Sequence, residues 1–572
     1  MLELLVAACL ASVDGGAEPV VVAEDAGVVD AGAVSPLADS PYGEVDAGTL
    51  APASGVLAAG ADAERRDGKA EFVKGELSVY LGSDRLTVKN TRIGVTVGPD
   101  FFAGALYALI EPLVDLRFFD GKLGIGVGVP LRIELVNLAL MNPIERIGRL
   151  RIEDYDSVHD FGRILKYVTF GRKEDNIYIS AGQRYASSVG HGAITRRYSP
   201  SIDTDYPRAS AQVDMYNDYG GFELMTNDLL EWNQLSGLAF IKPFSFFKPQ
   251  NLLLKSLSIG VTGAVDWKAP YSLSGVPTQR VTMANRLAIT SVKPVTLIGV
   301  DAEIKVVKTE NVDIKPYVDY SMLINGDGGF TAGVLGRFNV GTDIKNAFRV
   351  IAEARFLGNR YAPSYFDTFY EIDRMAYLNA DFRDPGTGTA VYIPKGQFIL
   401  ERGLGQRFGY YLEASWGIRN AIGLTLAFEG VSNAPPKNFV AHLELPVLSF
   451  LQLFGSYYLR GVNSFDELAM LGPFGLKSIL FAGARLRVLP FLFINGRVYK
   501  TFRVNPTLER YDNQFGFSVD LELGYEFQKR DPAPPPKEEP APTTPGPSPT
   551  PSTPQLPNPA EQGQPMSPAG MR

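Results

Sequence analysis

Residues 184–208 hold the side chains of this 572-residue chain that are best suited to binding a ligand. The planar guanidinium group of arginine donates paired hydrogen bonds to anionic groups and hydroxyls, and the ring of tyrosine can stack on a sugar. We therefore predict a loop that binds sugars or anionic groups. Its candidate binding residues are Arg184, His191, Arg196, Arg197, Tyr198, Asp203 and Asp205.

A second group of residues has the types needed for nucleophilic hydrolysis. Ser157, His159 and Asp160 lie within four positions of one another. A catalytic serine needs a histidine base and an orienting acid, which normally come from separate elements of the fold. Their closeness along the chain counts against a catalytic triad, and we expect no enzymatic activity. Lipid hydrolysis is the weakest of three functional hypotheses. The sequence predicts no cofactor and no metal site.

A third group of charges recurs at every second position of apolar segments. This spacing places the charges on one face of a β-strand and the apolar residues on the other. If the strands closed into a barrel, the charges would either line a wet lumen and select the solutes that pass or pair with one another across a plugged interior. These lumen candidates are Arg349, Glu353, Arg355, Arg407, Glu413, Arg485, Arg487 and Arg497.

The strands that must position these charges are strongly patterned. Over residues 515–527 every odd position is aromatic or aliphatic, and every even position is Gly, Ser, Asp or Glu. We count twenty such segments between residues 88 and 527, one of them over 253–267, and predict eighteen to twenty strands. The predicted connections are short at one rim and long at the other, where segments 136–161, 184–207, 268–293, 359–405 and 461–476 fall. This asymmetry is typical of transmembrane barrels.

The final strand resembles the closing strand of bacterial outer-membrane β-barrels, whose assembly machinery reads a glycine followed by aromatic residues. Here these are Gly524, Tyr525 and Phe527. The resemblance implies an all-β, antiparallel, up-and-down transmembrane barrel over residues 75–527 in the cell outer membrane. It also implies contacts with outer-membrane lipid, lipopolysaccharide and the barrel-assembly machinery. The predicted strand number is similar to that of polysaccharide-export barrels.

The two flanks differ in composition from the barrel. Residues 1–12 read as an export signal with a truncated start, and Cys9 in Val-Ala-Ala-Cys is a lipidation candidate. Residues 13–74 are rich in Ala, Gly and Asp and are predicted to be disordered. Residues 528–572 form a Pro-rich disordered tail, with a periplasmic partner as one interpretation. A net charge of −8 argues against nucleic-acid binding.

The leading functional hypothesis is an outer-membrane channel for a polar solute or polymer, with surface polysaccharide as one substrate class. The long connections 184–207 and 359–405 would gate or select. The first of them could fold inward as a constriction or hold lipopolysaccharide phosphates at the outer rim. The alternative is a non-conducting scaffold or adhesion barrel that binds partners through its outer loops and tail.

Overall fold

The computed structural model describes residues 91–527, except for 103, 120–121, 138–146, 172, 174, 185, 204–206, 248, 274–288, 342–345, 376, 378–392, 419–421, 433, 449, 463–477 and 506–509. The predicted export signal with Cys9, the segment 13–74 and the tail 528–572 lie outside the described residues. Asp205 of the predicted binding loop also lies outside them.

The described chain forms twenty barrel strands, which we number in chain order. They are β1 Thr91–Phe102, β2 Ala105–Phe118, β3 Leu123–Gly128 with Leu131–Asn137, β4 Leu165–Phe170, β5 Ile177–Gly182, β6 Ser210–Tyr216, β7 Gly220–Thr226, β8 Gln234–Ile241, β9 Ser258–Asp266, β10 Val295–Glu303, β11 Val312–Leu323, β12 Gly328–Val340, β13 Asn346–Leu357, β14 Arg407–Ile418, β15 Ile422–Val431, β16 Ala434–Leu448, β17 Leu451–Val462, β18 Ser478–Leu489, β19 Leu492–Asn505 and β20 Arg510–Phe527.

Each strand pairs antiparallel with its neighbours in the chain, and β20 pairs with β1, so the barrel is closed. The seam runs from Thr91 opposite Phe527 to Phe101 opposite Phe517. Strand β3 is interrupted near Pro130, which has no backbone N–H to donate to a sheet ladder. A two-residue strand, Val307–Lys308, follows β10 and also pairs with β11. The predicted all-β barrel and its strand number are confirmed.

One predicted strand begins later than the sequence pattern indicated. The pattern predicted a strand over 253–267, but its first turn is the short helix Leu252–Ser256. The Asn251 side chain accepts a hydrogen bond from the Leu253 N–H at 2.8 Å and caps this helix. Because an Asn cap satisfies an N–H that is otherwise without a partner, it favours the helix here over continued strand. Strand β9 therefore starts at Ser258.

The two faces of each strand meet different surroundings. In β20, Val519, Leu521 and Leu523 are 53%, 52% and 50% exposed on the outside, while Asp520 and Glu522 are 0% and 2% exposed inside. Many other large exposed apolar side chains, such as Val261, Val300 and Phe356, occupy outward positions of the strands. An apolar exterior around a polar interior is the arrangement of a barrel that faces lipid.

The connections have the predicted asymmetry between the two rims. We call the rim at Phe527 the inner rim and the opposite one the outer rim. Long connections lie at the outer rim and include the helical turns Ile152–Asp154, Val158–Arg163, Tyr370–Asp373, Lys395–Gln397 and Phe398–Arg402 and the hairpin Pro270–Leu273 with Ile289–Val292. At the inner rim, Pro243–Phe247 forms a further helical turn.

No helix among the described residues is both long and apolar enough to span a membrane.

The outward face predicts how stability depends on depth. We expect Leu521→Arg, near the middle of the apolar exterior, to lower the free energy of unfolding in lipid vesicles by about 2–4 kcal/mol, because it places a charge in hydrocarbon. Phe527→Arg, at the inner rim, should cost about 0–1 kcal/mol. Urea unfolding of the two variants measures both. Equal losses would contradict a lipid-facing exterior.

Candidate functional site: two loops inside the barrel

Two of the long outer connections fold into the barrel. We name residues 183–209 the first loop and residues 358–406 the second loop, and the pair the plug. Their side chains are as buried as those of a protein core: Ile194, Tyr198, Tyr365 and Phe366 are all 1% exposed or less. The chain itself therefore occupies part of the described lumen. The sequence allowed for an inward fold of the first loop, but it did not indicate that the second loop would join it.

The two loops are joined through their backbones. Thr195 and Phe366 form a parallel bridge, in which the Arg196 N–H donates to the Phe366 carbonyl oxygen and the Phe366 N–H donates to that of Ile194, both at 3.0 Å. Ser364, with φ of +47°, donates its N–H to the Ala193 carbonyl oxygen at 2.7 Å. These bonds satisfy backbone groups that would otherwise be buried without partners.

An aromatic cluster fills the space between the loops and the wall. The rings of Phe366 and Tyr370 meet edge to face with centroids 4.7 Å apart, and Tyr198 meets Tyr370 at 6.0 Å. Leu297 of β10 and Leu323 of β11 complete the cluster from the wall, and both are buried. The plug thus has an apolar core of its own, which packs on apolar residues of several wall strands, and Ile202 and Phe369 of the two loops join a second apolar cluster of the wall.

Arg196 of the first loop enters a charged cluster on strands β11, β13 and β14. Its Nη2 lies 2.5 Å from Oε1 of Glu353, and the Nε and Nη2 of Arg355 donate to Oε2 at 2.9 and 2.7 Å. The Tyr317 hydroxyl also donates to Glu353. The Arg196 guanidinium lies 3.9 Å from the centroid of the Tyr411 ring, a cation–π contact. One buried carboxylate therefore joins two guanidinium groups.

Arg197, the next residue, enters a second cluster on β13 and β14. Its Nη1 lies 3.6 Å from Oε2 of Glu413, which also accepts the Tyr411 hydroxyl at 2.6 Å. Arg349 pairs with the other oxygen of Glu413. Arg197 has φ of +47°, which a non-glycine residue adopts only when its surroundings enforce it, and the Ser188 hydroxyl accepts its N–H at 2.9 Å.

The second loop carries a third cluster, centred on Glu371. Arg208 Nη1 and Arg374 Nη1 lie 2.6 and 3.2 Å from Glu371 Oε2, and the Tyr198 hydroxyl donates to the same carboxylate. Burial alone would raise the pKa of Glu371, but the two guanidinium groups hold that pKa below its usual range. Arg374 Nη2 also lies 3.1 Å from Asp266 Oδ2 at the outer end of β9.

Asp373 attaches the second loop to the wall, and Asp367 forms an ion pair within the loop. Asp373 Oδ1 lies 2.7 Å from Arg460 Nη2 of β17. Asp367 Oδ2 lies 3.6 Å from the Lys395 ammonium, which belongs to the same loop. Burial raises the pKa of Asp367 to about 6, and Lys395 only partly opposes this shift. The pKa of Asp367 therefore lies well above that of a hydrated aspartate.

The tip of the first loop reaches the inner half of the barrel. The Gly190 N–H donates to Glu223 Oε2 at 3.0 Å, and His191 Nε2 lies 2.9 Å from Oε2 of Glu303, the last residue of β10. The His191 ring stacks on Tyr317 with centroids 4.1 Å apart. Gly190 and Gly192, with φ of +57° and +83°, allow the tight turn at this tip.

The structure separates the predicted binding residues into groups. His191, Arg196, Arg197 and Tyr198 are buried or half-buried inside the barrel and bonded to the wall or the second loop, as described above. Arg184, also buried, donates to Gln212 of β6. Asp203 lies half-buried farther along the first loop. Ligand binding by these residues stays a prediction.

The predicted lumen residues also separate. Arg349, Glu353, Arg355 and Glu413 form the clusters that hold the plug. Arg485 Nη2 and Arg497 Nη2 pair instead with Glu522 and Asp520 of β20, at 2.8 and 2.6 Å.

Two predicted lumen arginines lie at opposite rims. Arg407, at the outer end of β14, donates to the Tyr361 carbonyl oxygen at 2.6 Å and so holds the second loop. Arg487 lies near the inner rim, with its Nη2 3.5 Å from the Pro490 carbonyl oxygen. A selectivity role for any of these charges stays a prediction.

The residues of the hydrolase hypothesis do not form a Ser–His pair. The Ser157 hydroxyl donates to Asp160 Oδ2 at 2.6 Å, in a capping box that starts the turn Val158–Arg163. His159 Nδ1 instead lies 2.5 Å from Asp228 Oδ2.

Sequence reasoning missed Tyr317, Tyr411 and Asp266 of the wall and Glu371 of the second loop. The strand phase of the three wall residues pointed inward, but no sequence signal linked any of the four residues to the plug.

No protein-family model matches the chain, and no curated protein does. Among solved structures, it is similar to the ferric enterobactin receptor PfeA of Pseudomonas aeruginosa (9% identity, 77% of this chain and 82% of that chain, TM-score 0.32). It is also similar to the siderophore receptor PirA of Acinetobacter baumannii (8%, 77% and 81%, 0.31) and to CdiB of the same species (7%, 77% and 60%, 0.23). At these TM-scores the backbones superpose poorly, so the architecture rests on the strand pairing of the chain itself.

The Arg196–Glu353 pair should show strong coupling. We expect Glu353→Gln to lower the free energy of unfolding by about 3–5 kcal/mol, because two buried guanidinium groups lose their carboxylate. Adding Arg196→Gln should cost less than the two single losses together. Denaturant unfolding of the four proteins measures the coupling. Glu429→Gln, which touches Arg355 at 3.4 Å but not Arg196, is the matched control. Simple additivity would contradict the pairing.

Proposed function

We propose that this protein is an outer-membrane channel for a polar solute or polymer, closed by the plug. The observation that carries the proposal is the charged part of the attachment between plug and wall. Arg196 forms an ion pair with Glu353, and Arg197 forms one with Glu413. Water hydrates all four of these side chains well once they separate. A gate needs two states of similar free energy, and separating charged surfaces into water costs far less than exposing an equal apolar area.

The wall behind the plug supports polar cargo. When Arg196 and Arg197 leave, Arg349, Glu353, Arg355 and Glu413 would line the lumen, with Tyr317 and Tyr411 beside them. Charges of both signs coordinate polar groups, and exposed tyrosine rings stack on sugars. Surface polysaccharide is accordingly the polymer we favour. Arg92 and Glu522 near the seam extend the mixed-charge surface toward the inner rim.

The exterior supports the location. An apolar band that surrounds polar contents inserts only into a bilayer, and a closed barrel leaves no strand edge without partners in hydrocarbon. We therefore propose outer-membrane lipid as the surroundings of the exterior, lipopolysaccharide as the neighbour of the outer loops and the barrel-assembly machinery as the partner during insertion.

A non-conducting scaffold or adhesion barrel is the second candidate. It is favoured by the aromatic cluster of Tyr198, Phe366 and Tyr370, because displacing that cluster exposes apolar surface at about 25 cal/mol per Å². In that case the plug would be permanent and the outer loops would bind partners. Lipid hydrolysis gains no support from the bonds of Ser157 and His159, and absence of enzymatic activity stays a prediction.

Single-channel recording tests the choice. In a Cys9→Ser background, Thr195→Cys with Ser236→Cys replaces two hydroxyls that lie 2.7 Å apart on the first loop and on β8. We expect the oxidised double variant to be silent and the reduced one to open like the unmodified protein. Each single cysteine variant should be insensitive to oxidant and serves as a control.

A variant with a weakened plug makes the recording informative if the unmodified protein opens rarely. Glu353→Gln with Glu413→Gln should raise the open probability several-fold, because Arg196 and Arg197 lose their carboxylates. Glu522→Gln, a buried glutamate of the wall, is the matched control and should not. Silence of every variant, with folding shown by heat-modifiable mobility, would refute the channel and favour the scaffold.

The channel should also close more firmly in acid. In the docked plug the pKa of Asp367 is about 6, whereas a hydrated aspartate has about 3.9, so docking binds a proton. Docking is thus strongest below about pH 4 and weakens as pH rises to 6. Between pH 7 and 5 we expect a gain of roughly 1 kcal/mol in docking and a fall in open probability. Asp367→Asn should lose most of this change, and an unaltered pH profile in that variant would contradict the assignment.

A further inference from the structure

The tip of the first loop places a histidine against two opposed carboxylates. Asp301 of β10 and Asp319 of β11 are direct cross-strand partners, and both face the interior with 7% and 4% exposure. Like charges at directly opposite positions destabilise an antiparallel pair. His191 of the first loop lies over them, its Nδ1 3.7 Å from Asp301 Oδ1. An imidazole and two carboxylates converge at a buried point.

The other nitrogen of His191 is already committed. Its Nε2 lies 2.9 Å from Glu303 Oε2, and an ionised carboxylate only accepts, so Nε2 carries the proton. Nδ1 then presents its lone pair to the two aspartates. Glu303 is itself held by Lys315, with Nζ 2.9 Å from the same Oε2. A carboxylate that orients the far nitrogen of a histidine is the usual outer partner of a histidine that binds a metal.

Two atoms at this point have no hydrogen-bond partner among the described residues. They are His191 Nδ1 and Asp319 Oδ1, and both are buried. The basic side chains around them pair elsewhere: Arg196 with Glu353, Lys173 with Asp214 and Glu223. Leaving a buried polar atom without a partner costs about 1–3 kcal/mol. A ligand at this point would satisfy both atoms.

We propose that His191, Asp301 and Asp319 bind a divalent transition-metal ion, with Zn²⁺ as the best match. One imidazole nitrogen and two carboxylates leave a fourth tetrahedral position open, and bonds of about 2.0–2.2 Å separate tetrahedral ligands by roughly 3.4 Å. One ligand atom from each residue lies within 4.8 Å of the other two, so a small closing movement completes the site. The sequence predicted no metal site.

The ion would join three separate elements of the barrel. It would neutralise the opposed aspartates of β10 and β11 and fix the tip of the first loop to both strands. The inference stands on the geometry of these residues and does not depend on the proposed channel. The experiment below therefore tests the metal site whether the protein is a channel or a non-conducting scaffold.

Cobalt absorption tests the site, because Co²⁺ replaces Zn²⁺ and shows visible bands when nitrogen and oxygen ligands surround it tetrahedrally. All proteins carry His159→Gln, since His159 contacts Asp228 and Glu231 and would add a second signal. We expect one Co²⁺ per refolded chain, displaced by one Zn²⁺. His191→Gln should abolish the bands, and Glu303→Gln should weaken affinity about 10–100-fold at unchanged stoichiometry.

His442→Gln is the matched control, because His442 is also buried inside the barrel but bonds to Ser456 and Glu444. It should bind Co²⁺ like the parent. A second measurement follows amide exchange at residues 188–192, which Zn²⁺ should slow in the parent and not in His191→Gln. The substituted histidine lies on a loop, and heat-modifiable mobility confirms that the barrel is folded. Absence of bands in the parent, or equal binding by His191→Gln, would overturn the inference.

Discussion

The two-residue period of the strands is the constraint on which the rest of the structure depends. Because the exterior faces hydrocarbon, the charged side chains of the strands must point into the interior. A wide barrel must then either hydrate those charges or supply counter-charges to them. This chain supplies them from its own outer connections: Arg196 and Arg197 meet Glu353 and Glu413, and Arg374 meets Asp266. The plug is therefore electrostatically matched to the wall that surrounds it.

Buried ion pairs contribute little net stability, because desolvation offsets most of the attraction, but a mismatched pair is expensive. Their main effect here is to specify one position for the plug. Arg196 and Arg197 are adjacent, yet their carboxylates stand on different strands, β13 and β14, so a shift of one residue would break both pairs. The aromatic cluster around Tyr198 and Phe366 supplies the apolar burial. The residues that fix the position of the plug therefore differ from those that supply its apolar burial.

The alternating sequence pattern predicted those features of the fold that depend on consecutive residues. Alternation predicted eighteen to twenty strands and the inward direction of Glu353 and Glu413, because strand phase is a property of consecutive residues. It misplaced the start of β9, where the Asn251 cap competes with strand formation. Alternation could not predict the plug, because the contacts of the plug join residues that are distant in sequence. Tyr198 bonds to Glu371, 173 residues away, and Arg196 bonds to Glu353, 157 residues away. Arg407 was predicted to line the lumen and lies at the outer rim, since phase gives direction but not depth.

The seam between β1 and β20 imposes an order on how this protein is made. Its two strands are the most distant in the chain, so closing them carries the largest loop-closure entropy and comes late in folding. Both plug loops precede β20 in the chain, so we expect them to meet a sheet that is still open along one edge. They could then reach their carboxylates from the side, and closure of the seam would enclose them.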